Sequence, residues 1–211
     1  ATGVTTTAVV HSASDLVVAA GCEYRLLSRL DEQLGRAPRR EHAEDVMLDR
    51  AATLGRLHED AVLADLEARH GAYDPATGRG VLRIEPPRHG SWDDLVAAHL
   101  RTLAAVEGGA DVVHQAAFFD GRFVGRADFV VRQDDGAWSV RDAKLARNAQ
   151  PTALLQVAAY ADQLAAAGLP VARDVELVLG DGAVTRHAVA DLVPVYRERR
   201  ARLQHVLDEH L

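Results

Sequence analysis

The segment GRADFVVRQDDGAWSVRDAKLAR, residues 125–147, contains three charged side chains whose spacing could support chemistry, namely Asp128, Asp142 and Lys144. The Asp-Gly pair at its centre predicts a tight turn between two strands, and antiparallel pairing across that turn brings Asp128 beside Asp142. Two neighbouring carboxylates repel unless a proton or a cation lies between them, and oxygen ligands suit magnesium or manganese. Lys144 is two positions after Asp142, so both side chains point to one face of the strand. A cation beside an ammonium group is suited to orienting water and to neutralising a phosphorane-like transition state.

Each of these residues also has a simpler interpretation. A D-x-K triplet is common, and on an exposed strand it usually forms a solvated surface pair. His58, on the apolar side of a predicted helix, is by itself more often a core histidine than a metal ligand. Gln156 and Tyr160 are four residues apart and share one helix face, as ordinary polar positions do. The apolar neighbours of Asp128, however, indicate a partly buried position, where an unpaired charge is costly.

The elements that must position these residues follow from the periodicity of the chain. N-cap residues such as Ser14 and Ser91, with glycine stops such as Gly35 and Gly71, mark the ends of predicted helices. The predicted helices cover residues 14–35, 44–70, 91–106, 151–168 and 194–211, and the predicted strands 81–85, 112–119, 122–132, 137–144, 174–180 and 183–189. In the second helix the expected apolar face consists of Met47, Ala51, Leu54, Val62 and Leu66. This order predicts an α/β fold with a mixed central sheet flanked by helices.

Composition narrows the class of protein. The chain has 211 residues, of which 31 are acidic and 24 are basic. Its net charge of −7 therefore provides no overall electrostatic attraction for nucleic acid. We expect a single domain over residues 1–211. The single cysteine excludes an internal disulfide, and the first residues lack the pattern of a secretory signal, which predicts a cytoplasmic protein. No apolar run is long enough to predict a membrane span.

Four short motifs, taken in order, are more specific than any of them alone. They are GRLHE (residues 55–59) on a helix, GRADF (125–129) and DAK (142–144) on neighbouring strands, and Q-x-x-x-Y (156–160) on the next helix. This series resembles the PD-(D/E)xK nuclease superfamily, in particular its RecB-like branch. The longer runs around these motifs look like a subfamily of RecB-like domains that are often fused to helicase or RNase H-like modules. The resemblance implies a restriction-endonuclease-like fold.

The resemblance also implies roles for individual residues. His58, Asp128 and Asp142 would coordinate Mn2+ or Mg2+ with help from the Ala143 carbonyl, and the histidine makes manganese at least as plausible as magnesium. Lys144 would orient or activate the attacking water. Gln156 and Tyr160 match a helix motif that supports the active site and contacts the nucleic-acid backbone. Glu59 follows the histidine of the motif but receives no role.

Cys22 raises a separate expectation. A lone cysteine on a core helix is most often a small buried hydrophobe. Several RecB-like nucleases hold an iron–sulfur cluster with one cysteine near the start and three after the nuclease core. This chain has only the first, so a four-cysteine cluster could form only in a longer parent chain, of which we expect these residues to be a fragment.

These features together predict a metal-dependent deoxyribonuclease that takes part in DNA repair or processing, with DNA and a fused or associated helicase as partners. Arg126, Arg141 and Arg147 are candidates, with Lys144, for guiding a strand to the site, although Arg141 fits a solvated strand edge equally well. The main alternative is a catalytically silent module of the same fold that binds DNA or serves as a scaffold in a helicase–nuclease machine. A closed structural metal site is a third alternative, which the lysine disfavours.

Overall fold

The computed structural model describes residues 9–39, 46–86 and 90–211. The strands are β1 (His11–Ser12), β2 (Val81–Arg83), β3 (Val112–Phe119), β4 (Phe123–Arg132), β5 (Trp138–Lys144), β6 (Asp174–Leu179) and β7 (Val184–Ala188). The helices are α1 (Ala13–Gly21), α2 (Glu23–Gln33), α3 (Val46–His70), α4 (Trp92–Glu107), α5 (Pro151–Ala166) and α6 (Val189–His210). None of the helices in the described ranges is both long enough and apolar enough to cross a membrane.

The strands form one seven-stranded mixed sheet in the order β2-β3-β4-β5-β6-β7, with β1 paired to β4 beside this path. The pairs β3–β4, β4–β5 and β6–β7 are antiparallel, whereas β2–β3, β5–β6 and β1–β4 are parallel. Gly121 and Gly136 in the two turns of the meander have φ angles of 89° and 83°, which glycine adopts without strain. The predicted meander and the mixed sheet are confirmed.

Helices cover both faces of the sheet and create two apolar cores. On one face, Leu63 and Leu66 of α3 pack against Val112 and Phe129 of the central strands. On the other face lies a larger core to which α1, α2, α4, α5 and α6 all contribute. The sheet is therefore buried on both sides at its centre, which is why β3 and β4 are rich in apolar residues.

The N-terminal elements differ from the prediction. The first predicted helix is two helices, because Cys22 between α1 and α2 has an extended backbone with φ −166° and ψ 109°. The N-cap of α1 is Ser12, whose hydroxyl accepts a hydrogen bond from the N–H of Asp15 while the Asp15 carboxylate accepts one from the N–H of Ser12. Strand β1, which the sequence did not predict, is only two residues long and gives no periodic signal.

Two other predicted helices also need correction. Helix α6 begins at Val189 rather than at Pro194, which lies inside it. In α3, Val62 and Leu66 are buried as expected, but Met47, Ala51 and Leu54 are exposed, because only the C-terminal half of the helix packs on the sheet. The first predicted residues of this helix, 44 and 45, lie outside the described residues.

Candidate active site

The candidate site lies where β4 and β5 separate. Their ladder ends at the pair Phe129↔Arg141, and the next pair in the same register would be Asp128 and Asp142. Instead of a ladder hydrogen bond at this point, the carboxylate of Asp128 accepts one from the backbone N–H of Ala143, with a distance of 2.9 Å to Oδ2. The two carboxylates that the sequence predicted to be neighbours therefore stand on opposite arms of a fork in the sheet.

The fork disfavours the ionised form of Asp128. Burial, followed by the negative charge of Asp142, raises the pKa of Asp128 from 3.8 to about 8. Asp142 is itself only 3% exposed, so water does little to screen the two carboxylates from each other. At neutral pH without a cation, Asp128 therefore retains a proton, which a bound cation would displace.

Lys144 is the positive charge nearest to the carboxylate pair. Its Nζ lies 2.6 Å from the buried Oδ2 of Asp142, so the two side chains form a close ion pair. Burial alone would lower the pKa of Lys144, but the charge and hydrogen bonding of Asp142, together with the charge of Asp128, outweigh burial and raise the pKa. Lys144 is consequently a firmly protonated ammonium on the same strand face as Asp142, as the alternation of β5 predicted.

His58 lies on α3, with Nε2 3.0 Å from the carbonyl oxygen of Val178. A carbonyl only accepts hydrogen bonds, so Nε2 is the donor, and in a neutral imidazole the lone pair would be on Nδ1. In residues 9–39, 46–86 and 90–211, no group of three or more His, Cys, Asp or Glu side chains converges closely enough to hold a metal ion. The structure thus places His58 against β6 and brings Asp128 and Asp142 together at the fork, but it does not join the three side chains into one ligand group.

Glu59, to which sequence analysis assigned no role, also belongs to this region. Its Oε1 accepts hydrogen bonds from the Nε2 atoms of His114, at 2.9 Å, and of Gln115. The hydrogen bond from His114 is the main cause of a lowered pKa of Glu59. Its negative charge also contributes to the raised pKa of Asp128, which puts the carboxylate within electrostatic reach of the pair. The position of Glu59 directly after His58 was the one available signal.

Gln156 and Tyr160 of α5 occupy different environments. Gln156 is partly buried and lines a pocket of about 280 Å3 together with Lys144. Tyr160 is 5% exposed, and its ring packs so closely on Gly125 that a Cβ there would come within 2.6 Å of Cε1. Burial, with the charges of Asp142 and Asp128, raises the pKa of Tyr160. Tyr160 therefore packs against β4, the strand that carries Asp128, three residues before the aspartate.

The basic residues near the fork are not equally available. Arg141 donates a hydrogen bond to Glu176 through Nε at 2.7 Å, and this carboxylate also accepts one from Arg186, so the guanidinium of Arg141 is already engaged. Arg126 is partly buried and donates to the carbonyl of Ile84 at 3.2 Å. Arg147 is exposed. Of the three arginines suggested as strand guides, Arg141 is thus the least suited.

Cys22 is exposed and free, at the junction of α1 and α2. The expectation of a small buried hydrophobe is therefore wrong, because the extended backbone at this position turns it out of the helix core. No other cysteine occurs in the 211 residues.

Comparisons with known proteins bear on this arrangement. A family model described as the PD-(D/E)XK nuclease superfamily matches residues 11–210. No curated protein matches the chain significantly. The crystal structure of SSO0001 is 14% identical, with coverage of 92% of this chain and 76% of that chain, but its TM-score of 0.38 is too low to carry an argument. The family match covers nearly the whole chain and agrees with the mixed sheet flanked by helices. The chain belongs to the PD-(D/E)XK nuclease superfamily and has its restriction-endonuclease-like fold.

Proposed function

We propose that this chain is a divalent-metal-dependent deoxyribonuclease of the RecB-like branch. The observation that carries the proposal is the pair of carboxylates at the fork, where Asp142 is buried and the partly buried Asp128 has a pKa raised to about 8, with the ammonium of Lys144 beside Asp142. In the metal-free protein the proton on Asp128 relieves the repulsion between the two carboxylates, and a bound cation could take its place. Two carboxylates that perturb each other in this way beside a lysine are typical of a site that binds a cation.

The residues at the fork have the chemistry that Mg2+ or Mn2+ requires. Asp142 is buried and, among the described residues, is paired only with Lys144 through Oδ2, and Asp128 holds a proton that a cation would replace. We propose Asp128, Asp142 and the Ala143 carbonyl as ligands. Nδ1 of His58 would complete the set, since metal-binding histidines commonly donate their other N–H to a carbonyl, as His58 does to Val178. A divalent ion bound there would supply Lewis-acid activation of water and of the scissile phosphate.

The remaining residues would act around this ion. Lys144 would orient the attacking water and stabilise the negative charge that develops on the phosphate, for which its protonated state is required. Gln156, in the pocket shared with Lys144, would position the nucleic-acid backbone. Tyr160 would act indirectly, because its buried ring holds β4 at Gly125. The exposed Arg147 and the half-buried Arg126 would attract the strand locally despite the acidic total.

The test is a digestion assay in Mn2+ and in Mg2+ with end-labelled single strands, duplexes and closed circles. Wild type should cleave at least one of these DNA forms. Asp128→Ala should neither cleave DNA nor bind Mn2+, whereas Asp134→Ala, which removes an exposed carboxylate from the same hairpin, should behave as wild type. If wild type binds DNA without cleaving any form, the chain is a silent DNA-binding module. A role in repair and an associated helicase remain predictions from the RecB-like resemblance.

A further inference from the structure

Gln115, in the middle of β3, has a backbone conformation that strands do not normally contain. Its φ is 56°, and it is the only non-glycine residue with a positive φ in the part of the chain that the structure describes. This left-handed region is unfavourable for a residue with a Cβ, so such a conformation persists only where the surroundings impose it.

Glu59 is the group that holds this conformation. Consecutive side chains of a regular strand point to opposite faces of the sheet. His114 and Gln115 nevertheless both donate to the same oxygen, Oε1 of Glu59 on α3. His114 also stacks on Phe129, with ring centroids 5.1 Å apart, which fixes the imidazole on the α3 side. The positive φ of Gln115 turns its side chain to the same face of the sheet as that of His114. Both side chains can therefore reach one acceptor.

Strand β4 has a matching irregularity at Asp128, where its side chains also switch between the two faces of the sheet. The flanking pairs His114↔Phe129 and Ala116↔Ala127 place Gln115 opposite Asp128, and this pair alone is missing from the ladder. Ala127 packs into the larger core and Phe129 into the core beneath α3, although residues two apart on a regular strand face the same side.

Asp128 therefore stands at a point where β4 changes faces. Its side chain reaches along the sheet to β5, where Oδ2 accepts the hydrogen bond from Ala143. A regular strand would instead turn Asp128 to one face of the sheet, away from the Ala143 N–H.

We propose that the cluster formed by Glu59, His114 and Gln115 positions the metal site, because it holds the left-handed turn in β3 that directs Asp128 across the fork. The inference rests on the proposed function, since it gives Asp128 its role as a ligand. It makes Glu59 and Gln115 positioning residues for the site, although neither is among the proposed ligands.

The experiment compares substitutions at Gln115 that differ in their tolerance of a positive φ. Gln115→Gly and Gln115→Ala both remove the amide that binds Glu59, but glycine adopts the left-handed conformation freely and alanine does not. Gln115→Val favours a regular strand most strongly, since a β-branched residue at positive φ is a rare outlier. Mn2+ affinity is measured by titration calorimetry and thermal stability by calorimetric melting, on the metal-free protein.

We expect Mn2+ affinity to fall in the order glycine, alanine, valine. Valine should lose roughly 10- to 100-fold relative to wild type, as is common when a group that orients a ligand is removed. The thermal stability of the valine variant should not fall in parallel, because valine suits a strand. Gln115→Val with wild-type Mn2+ affinity would overturn the inference, and so would alanine binding as tightly as glycine. If the valine variant fails to fold, the comparison of glycine with alanine decides.

Failure of the proposed function gives a different pattern. If wild type and Asp128→Ala bind Mn2+ equally, or if neither binds it, then Asp128 is not a ligand and both proposals are wrong. If wild type binds Mn2+, Asp128→Ala does not, and the Gln115 variants all match wild type, the metal site stands and only the positioning role is wrong.

Discussion

Asp128 should make the metal-free protein less stable as the pH rises, and Asp128→Asn should abolish this effect. In the folded state the pKa of Asp128 is raised to about 8, mainly by burial and by Asp142, whereas its ordinary value is 3.8. Below the ordinary pKa both the folded and the unfolded states are protonated. Between the two values the folded state holds a proton that the unfolded state has released, so stability is lost as the pH rises through this window.

The expected size of the effect follows from this difference of one proton. Each pH unit within the window costs about 1.4 kcal/mol of unfolding free energy. Between about pH 5.5 and about pH 7.5 the loss approaches roughly 2 to 3 kcal/mol. For a chain of this size that corresponds to a fall of roughly 5 to 10 °C in the melting temperature.

The assay is differential scanning calorimetry of wild type and Asp128→Asn in chelator across this pH range. Asparagine can still accept the hydrogen bond from Ala143, so the variant removes the titration and keeps the contact. The comparison also cancels the pH dependence of stability that other groups contribute. One of them is His11, whose pKa is lowered to about 4 mainly by burial, so its titration makes the protein more stable as the pH rises. A stability difference between the two proteins that does not change with pH would refute the reasoning.

Three further predictions concern residues around the fork. Lys144→Ala should retain Mn2+ and DNA binding but reduce cleavage on the order of 100- to 1000-fold, measured by parallel nuclease and gel-shift assays; equal cleavage by both proteins would contradict its role. Gly125→Ala should destabilise the chain by roughly 1 to 3 kcal/mol in a denaturant titration, because the added Cβ would lie 2.6 Å from the Tyr160 ring, and an unchanged midpoint would show that the ring can move away. Cys22→Ser should melt within about 1 °C of wild type, because the thiol is exposed. Visible absorption of an iron–sulfur cluster in the purified wild-type chain would instead assign that cysteine a ligand role between molecules.

Local patterns predicted those parts of the fold that depend on neighbouring residues. The Asp-Gly turns and the apolar runs beside them gave the meander β3–β4–β5, since turn conformation and side-chain alternation are properties of short segments. The placement of Lys144 on the same face as Asp142 followed from the same alternation. The helix break at Cys22 and the two-residue strand β1 were missed, because neither changes the periodicity of the sequence around it.

The types and order of the chemical groups were thus determined by the sequence, including Asp128 and Asp142 as neighbours across a hairpin. What only the tertiary structure decided is how these groups are directed. Gln115 carries no sign that it adopts a positive φ, since that conformation is imposed by Glu59, 56 residues earlier in the chain. The contact of His58 with the Val178 carbonyl spans 120 residues and depends on where α3 crosses the sheet. Contacts between distant segments depend on how whole elements pack, and a short stretch of sequence contains no record of that packing.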